Sequence, residues 1–568
     1  MGFTKLLSSV NLLRVNPGRI LRYCSRPSSN ECGAISSDDD KKDLQDSSNE
    51  GSKSGLVLGV YEEKDKFELT PAAEEINQKS GGKICRYLNE LSSELKLGKA
   101  FVVTDVVPEF GPVAISCLGK KDPGYNKLEE LDETNENVRV MAGAGVRALS
   151  GRGCARVAVD AARRHTPPRR ARTWPPGGEC LQYGARVAVD AARRPHAAAE
   201  GAHLAAWRFE EFKSPGDKHQ EVQLSLHGSE GKEAWDTGTV YGQAQNWARY
   251  LSDMPANKMT PVDFAQAALD TLCPLGVSVT VREREWLEAQ RMRGVLGVAA
   301  ASCEQPLLLE CAWRGAAHAP VLLAADGITY DSGGLCLRSS HKLRGSRGAS
   351  GAAVVLAAIK TLALLKVPVH VHAVIPLCEQ LVSGRCLKPG DVLPALNGLN
   401  MQVEDTDLES QLLLADALVY GQTMYKPSLV IDVACLTQGI PPATGGGAVA
   451  VLGNSAHAWD ALVEAGARTG DRPWRLPLWD YYRRQVVDDP AVDLRNKGSG
   501  TATICKGAAF LRHFVCGEWL HVDTSGVSRG GAVYLRRERA SGRPARTLAA
   551  FLQAAAGSER DTPRESRD

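Results

Sequence analysis

The chain has 568 residues, 43% of them hydrophobic, enough for two or three domains with sizeable cores at roughly 150 residues each. A net charge of +2 excludes a global electrostatic pull towards nucleic acid or an acidic membrane, and no run reaches the ~18 apolar residues of a membrane span. Fifteen cysteines with no Cys-x-x-Cys pair, and no His-Glu-x-x-His, argue against a disulfide framework, a cysteine zinc cluster or a helical zinc-protease motif.

Residues 1–30 carry Lys5, Arg14, Arg19, Arg22 and Arg26, several serines and no acid, with Leu6, Val10 and Leu13 at helical spacing. This composition predicts a mitochondrial transit peptide cut near Arg22-Tyr-Cys-Ser25; the alternative is a basic tail on a cytoplasmic protein. Residues 31–54, rich in Ser, Asp and Lys, read as a flexible linker. A smaller α/β domain is expected over 55–215, with strands at Leu56–Val60, Ala100–Val103 and Val113–Cys117 and a helix at Lys83–Leu95.

Within it, Ala155-Arg-Val-Ala-Val-Asp-Ala-Ala-Arg-Arg164 recurs as Ala185 to Arg194, displaced by thirty residues around a Pro- and Arg-rich stretch without periodicity. One repeat is too few for a solenoid. It reads as a recent duplication or an error of gene prediction, with a basic nucleic-acid patch as the alternative; no nucleic-acid partner is expected.

A connecting segment, 216–255, contains a helix at Trp235–Leu251, and a larger C-terminal domain follows over 256–556, with a tail at 557–568. Its expected strands, Val321–Ala325, Val367–Ile375 and Leu429–Ala434, alternate with helical stretches at Ser350–Leu365 and Asp407–Tyr425, the pattern of a mainly parallel sheet flanked by helices. His370 and His372 alternate on one of those strands and read as structural histidines. Asn397-Gly398 signals a hairpin just before Asp407.

The chemistry concentrates in two segments. Asp326-Gly-Ile-Thr-Tyr-Asp-Ser-Gly-Gly334 follows the strand Val321–Ala325, placing Asp326 and Asp331 near a strand end, where sheets of this kind gather ligands. Glu404-Asp-Thr-Asp-Leu-Glu-Ser-Gln411 brings Asp407 and Glu409 to a helix start. Carboxylates so gathered hold hard or borderline divalent cations. Two plainer readings compete: Thr406-Asp-Leu-Glu409 fits a capping box, and Asp331-Ser-Gly-Gly334 fits an ordinary turn.

From about Gly55 to Leu552 the chain resembles the leucyl (cytosol) aminopeptidase family, metallo-exopeptidases that remove N-terminal residues from peptides. The matching stretches are Gly327–Gly334, Pro376-Leu-Cys-Glu379, Lys388-Pro-Gly-Asp391, Thr406–Glu409, Leu414-Ala-Asp-Ala-Leu418 and Gly542-Arg-Pro544, with Pro255-Ala-Asn257, Met259-Thr-Pro261 and Asp471-Arg-Pro-Trp-Arg475. The resemblance implies a homo-hexamer, peptide substrates and two metal ions per subunit, manganese or zinc.

Carried over residue by residue, the site is incomplete. Asp331, Asp407 and Glu409 match metal-binding positions, but Asp326 stands where the resemblance implies a metal-binding lysine and Arg338 where it implies a catalytic lysine. Ala349 stands at a ligand aspartate, and Gln411 at the arginine implied to hold bicarbonate. In the substrate pocket, Leu436-Thr437-Gln438 replaces Leu-Thr-Gly. One metal or none is therefore expected, on Asp331, Asp407 and Glu409, with Asp326 as a substitute ligand. The expected function is an impaired or inactive pseudopeptidase with a structural, oligomer-forming role in mitochondria; the family includes such degenerate paralogues, notably in sperm. The alternatives are an active metal-dependent aminopeptidase and a protein that captures peptides without cleaving them.

Overall fold

The computed structural model describes residues 53–63, 66–91, 94–161, 194–339, 348–437, 439–536 and 538–558. The expected transit peptide, nearly all of the linker, the stretch between the two repeat copies and Gln438 lie outside them.

The first layer is a six-stranded mixed sheet. Its strands are β1 (Ser54–Glu63), β2 (Lys66–Leu69), β3 (Ala100–Val107), β4 (Phe110–Cys117), β5 (Arg156–Val159) and β6 (Gln223–Leu226), in the order β3-β4-β1-β5-β6 with β2 beside β1. β1 is buried from Leu56 to Tyr61 without alternation, because helices cover both of its faces. Helices α1 (Glu133–Ser150), α2 (Arg194–Ala206) and α3 (Lys232–Asp253) pack against one another beside this sheet. Gly201 makes the closest approach: a Cβ there would sit 2.1 Å from the Arg139 carbonyl oxygen.

The second layer is a nine-stranded sheet of β7 (Ser278–Arg282), β8 (Leu307–Arg314), β9 (Val321–Ala325), β10 (Gly327–Asp331), β11 (His370–Gln380), β12 (Leu429–Ala434), β13 (Val449–Gly453), β14 (Pro473–Arg475) and β15 (Glu518–Asp523). The order is β14-β13-β15-β12-β9-β11-β8-β7 with β10 beside β11, and the central pairs β11-β9-β12-β15 are all parallel. Its helices include α4 (Ser350–Leu364), α5 (Glu409–Tyr425), α6 (Ala456–Thr469), α7 (Thr503–Leu511) and α8 (Ala545–Ser558). α4 and α5 are buried almost all round and serve two different apolar clusters, α4 with α6 and α8, α5 with α7.

The α/β architecture expected from the alternating pattern is the one observed, with local differences. The strand expected at Val367–Ile375 starts at His370 and runs on to Gln380. Its start is delayed by Pro368, which has no N–H to give a ladder, and it is prolonged because β10 pairs with its far end. The helix at Lys83 ends at Leu91. Asn397-Gly398 does turn a hairpin, with Gly398 at φ 90° between Val392–Pro394 and Asn400–Gln402.

A buried ionic network joins the two layers. Glu200 on α2 accepts from Arg139 of α1 and, at 3.0 Å, from Arg546 of α8. Arg139 also reaches Glu136 at 2.6 Å and the Arg468 carbonyl. Arg546 donates to Gln245 at 2.6 Å and lies 3.5 Å from Asp471, which pairs with Arg543 at 2.6 Å.

The repeat is divided between two elements. The first copy supplies β5, and its Asp160 accepts from Gly59 N at 3.1 Å and Thr70 Oγ1 at 2.6 Å. The last residue of the second copy, Arg194, opens α2 and donates to the Tyr61 hydroxyl at 2.9 Å and to Asp122. Deleting residues 165–194 joins Arg164 to Pro195 and so places an arginine in the same local sequence as Arg194. Because loop entropy changes only slowly with length, the deletion variant is expected to fold and to melt within about 1 °C of the full chain, under ~1 kcal/mol for a chain of this size. Insoluble protein, or a larger fall in a thermal melt, would show the thirty residues to be structural.

Candidate metal and catalytic pocket

Asp331 ends β10 and is buried, and the loop after it is held by its own side chains. Asp331 Oδ1 accepts from Gly333 N at 3.0 Å, Ser332 Oγ from Gly334 N at 3.1 Å, and Ser332 O from Arg338 N at 2.9 Å. Gly333 and Gly334 take φ of 82° and 64°. A Cβ on Gly334 would come within 2.9 Å of Thr406 Oγ1, so the turn needs glycine for conformation and for space. The turn reading and the site reading of this segment are therefore compatible.

The capping-box reading of Thr406 and Glu409 is not what the structure contains. Thr406 Oγ1 donates to the Gly333 carbonyl at 2.6 Å and accepts from Cys336 N at 2.9 Å, tying the Asp331 loop to the segment before α5. Asp405 does the local capping, accepting from Asp407 N at 3.0 Å. Residues Thr406–Leu408 form a 3-10 turn and α5 begins at Glu409, so the helix expected from Asp407 starts two residues later. That short turn brings Asp407 and Glu409 to the same side as Asp331, with one carboxylate oxygen from each lying within 4.8 Å of the others.

Arg338 reaches into this trio. Its guanidinium pairs with Asp331 through Nη1 and with Asp407 through Nε, and Nη2 lies 3.7 Å from Glu409 Oε1. The protonated state of Arg338 is held against the cost of burial by these three carboxylates. Burial pushes the Asp331 carboxyl up to about 6 although Arg338 opposes the shift, and burial together with Asp331 pushes Glu409 well above the usual range. Glu409 Oε2 is buried and has no hydrogen-bond partner among the described residues.

The other positions surround this centre. Asp326, just after β9, is buried; its Oδ2 accepts from Ser410 Oγ at 2.9 Å and Cys435 N at 3.2 Å. Burial pushes its carboxyl up to about 6, and it is not one of the three clustered residues. Its Oδ1 lies against the first turn of α4, 2.4 Å from where a Gly351 Cβ would be. Ala349, the residue before α4, is buried and left-handed at φ 58°. Gln411 is fully buried, and neither atom of its amide has a partner among the described residues. Thr437 is buried, its hydroxyl accepting from Gly439 N at 3.2 Å.

Three convergent carboxylates, one with a bare oxygen, suit a single hard or borderline divalent cation. Asp331, Asp407 and Glu409 would hold it, and Arg338 would have to move aside. Sequence reasoning picked out the three carboxylates that cluster here but missed the ties made by Thr406 and Asp405. Thr406 carried the capping-box signal, and only the loop's position in space shows where its hydroxyl goes.

Sequence profiles of the cytosol aminopeptidase family match this chain twice, the catalytic domain over residues 246–549 and the N-terminal domain over 57–172. Cytosol aminopeptidase of Bos taurus is 37% identical over 511 residues, covering 88% of this chain and 92% of the relative; that of Dictyostelium discoideum is 32% identical over 517 residues, with the same coverage. Among solved structures, a bottromycin maturation enzyme in complex with Mn superposes with a TM-score of 0.73 at 25% identity, covering 89% of this chain and 99% of that one. A point mutant of tomato leucine aminopeptidase, at 23% identity, shares the fold with a TM-score of 0.72, covering 89% of this chain and 94% of that one.

Proposed function

The chain belongs to the cytosol aminopeptidase family, and from that premise we propose that it is a catalytically impaired member, poor in metal, whose work lies in a homo-hexameric assembly in mitochondria. The observation that carries this reading is the Arg338 guanidinium among Asp331, Asp407 and Glu409. It already gives these carboxylates a positive partner, so a manganese or zinc ion must displace it. A bound ion would polarise a peptide carbonyl and activate water. The chain's own residues support that chemistry poorly. Ala349 offers no lone pair, Gln411 carries no charge to hold an anion, and the planar Arg338 fork is not a point charge. The mitochondrial setting rests on the basic, acid-free residues 1–30.

A second reading, an active aminopeptidase removing leucyl-type residues from peptide N-termini, is favoured by the clustered trio and the bare Glu409 oxygen. Leucine release from a leucyl anilide by residues 31–568, with manganese or zinc added, separates the two when metal content and particle mass are measured on the same sample. The expected result is a hexamer-sized particle with at most one metal per subunit and no turnover. Turnover within about tenfold of a typical ~10 s⁻¹ enzyme establishes the second reading, and a stable monomer removes the structural role.

A further inference from the structure

Two histidines that the acidic pocket does not use face each other at the far end of α5. His370 opens β11 and His372 follows two residues on, so both side chains leave the same face of the strand. Their Nε2 atoms are 3.0 Å apart, with ring centroids 4.9 Å apart and planes at 55°. His370 Nδ1 lies 2.9 Å from the carbonyl oxygen of His318. A carbonyl only accepts, so Nδ1 carries the proton and the neutral ring presents a lone pair at Nε2. His372 is buried and stacked on Tyr425, with centroids 4.0 Å apart.

We propose that His370 and His372 form a two-imidazole site for a divalent transition cation of tetragonal preference, Cu²⁺ or Ni²⁺, each ring ligating through Nε2. A ring N–H donated to a backbone carbonyl is the usual orienting contact of a ligating histidine. At imidazole–metal distances of ~2.0–2.1 Å, nitrogens 3.0 Å apart subtend roughly a right angle at the ion. That suits neighbouring positions of a tetragonal site better than a tetrahedral one. His370 is half-buried, which leaves the remaining positions to water.

The charged groups around the pair act in opposite directions. Arg314 lies opposite His370 on β8 and opposes a cation; Glu310, further along the same face, is bonded to the Tyr420 hydroxyl and lies 3.3 Å from Arg282. Burial, with His370 and Arg314, pushes the His372 imidazole down to about 4, so the ring is neutral near pH 7. The seventeen residues of α5 separate Tyr425 from Glu409, about 25 Å at ~1.5 Å per residue, so this site is separate from the carboxylate trio.

Electron paramagnetic resonance of the full chain with one equivalent of Cu²⁺ per subunit tests the proposal. The expected spectrum is tetragonal, with superhyperfine coupling to two nitrogens that is lost in both His370→Gln and His372→Gln. If the buried His372 variant fails to fold, the half-buried His370 variant suffices. A spectrum without nitrogen coupling, or one that His370→Gln leaves unchanged, overturns the site. The contact would then be a simple ring-to-ring hydrogen bond, with His372 donating from Nε2.

Discussion

Replacing Glu200 by alanine is expected to lower stability by about 3–5 kcal/mol, the usual cost of stranding buried charge by removing its partner. Glu200 is fully buried and is shared by Arg139 and Arg546, which are themselves 2% and 1% exposed. His196 also lies 3.3 Å from its second oxygen. Two guanidinium groups would be left facing each other across the contact between α1, α2 and α8. Urea denaturation followed by circular dichroism reads the effect, and Glu200→Gln, which keeps the volume, should lose most of the same stability; a loss under ~1 kcal/mol for both variants would show that the two arginines find other partners. The pH dependence has a definite sign. Burial alone would raise the Glu200 carboxyl, but Arg139 and Arg546 hold it well below the usual range. Its contribution is therefore fully present above the ordinary carboxylate value of ~4.3 and is lost as pH falls below that towards the folded-state value.

The second large effect concerns the acidic pocket. The combined variant Asp326→Lys, Arg338→Lys, Ala349→Asp and Gln411→Arg is expected to bind manganese and to release leucine at least ~10²-fold faster than the parent, since one electrostatic stabiliser of a transition state is typically worth about 10²–10³. Each change has a reason in the structure. Lysine at 338 removes the fork that pairs with Asp331 and Asp407. Aspartate at 349 supplies a lone pair and tolerates φ 58° better than alanine does. Arginine at 411 replaces an amide whose two polar atoms are unpartnered among the described residues, and lysine at 326 removes a buried carboxyl. A folded, restored protein with no activity would place the defect outside these four positions. Equal activity in the parent would refute the impaired-enzyme reading.

The broad fold was legible because buried parallel strands and all-round apolar helices leave long runs that composition alone reveals, as at Val321–Ala325 and Ser350–Leu364. The acidic trio was legible for a related reason, since carboxylates that end a strand or begin a helix stand out from the apolar runs beside them. What could not be read was anything joining distant segments. Asp471-Arg-Pro and Gly542-Arg-Pro stood out as matching stretches, yet only the fold shows that Arg543 donates to Asp471. Glu200 and Arg546, 346 positions apart, carry no local signal at all. Arg338 was visible as a substitution, but the direction of its guanidinium depends on how the loop from Ser332 is pinned by Thr406.

The divided repeat makes the folding problem of the first layer degenerate. The first copy lies in β5, but Arg186-Val-Ala-Val189 of the second has the same sequence, followed by Asp190 at the place of Asp160, the residue that accepts from Gly59 and Thr70. Either copy therefore carries the residues that β5 and its aspartate supply, and the sequence alone permits two threadings of one sheet. The first-copy threading, having the surplus between β5 and α2, leaves the tight approach from Ser150 to Ala155 intact. An amide spectrum of β1 that is doubled in the full chain and single after deletion of 165–194 would reveal both isomers, two topologically distinct molecules from one sequence.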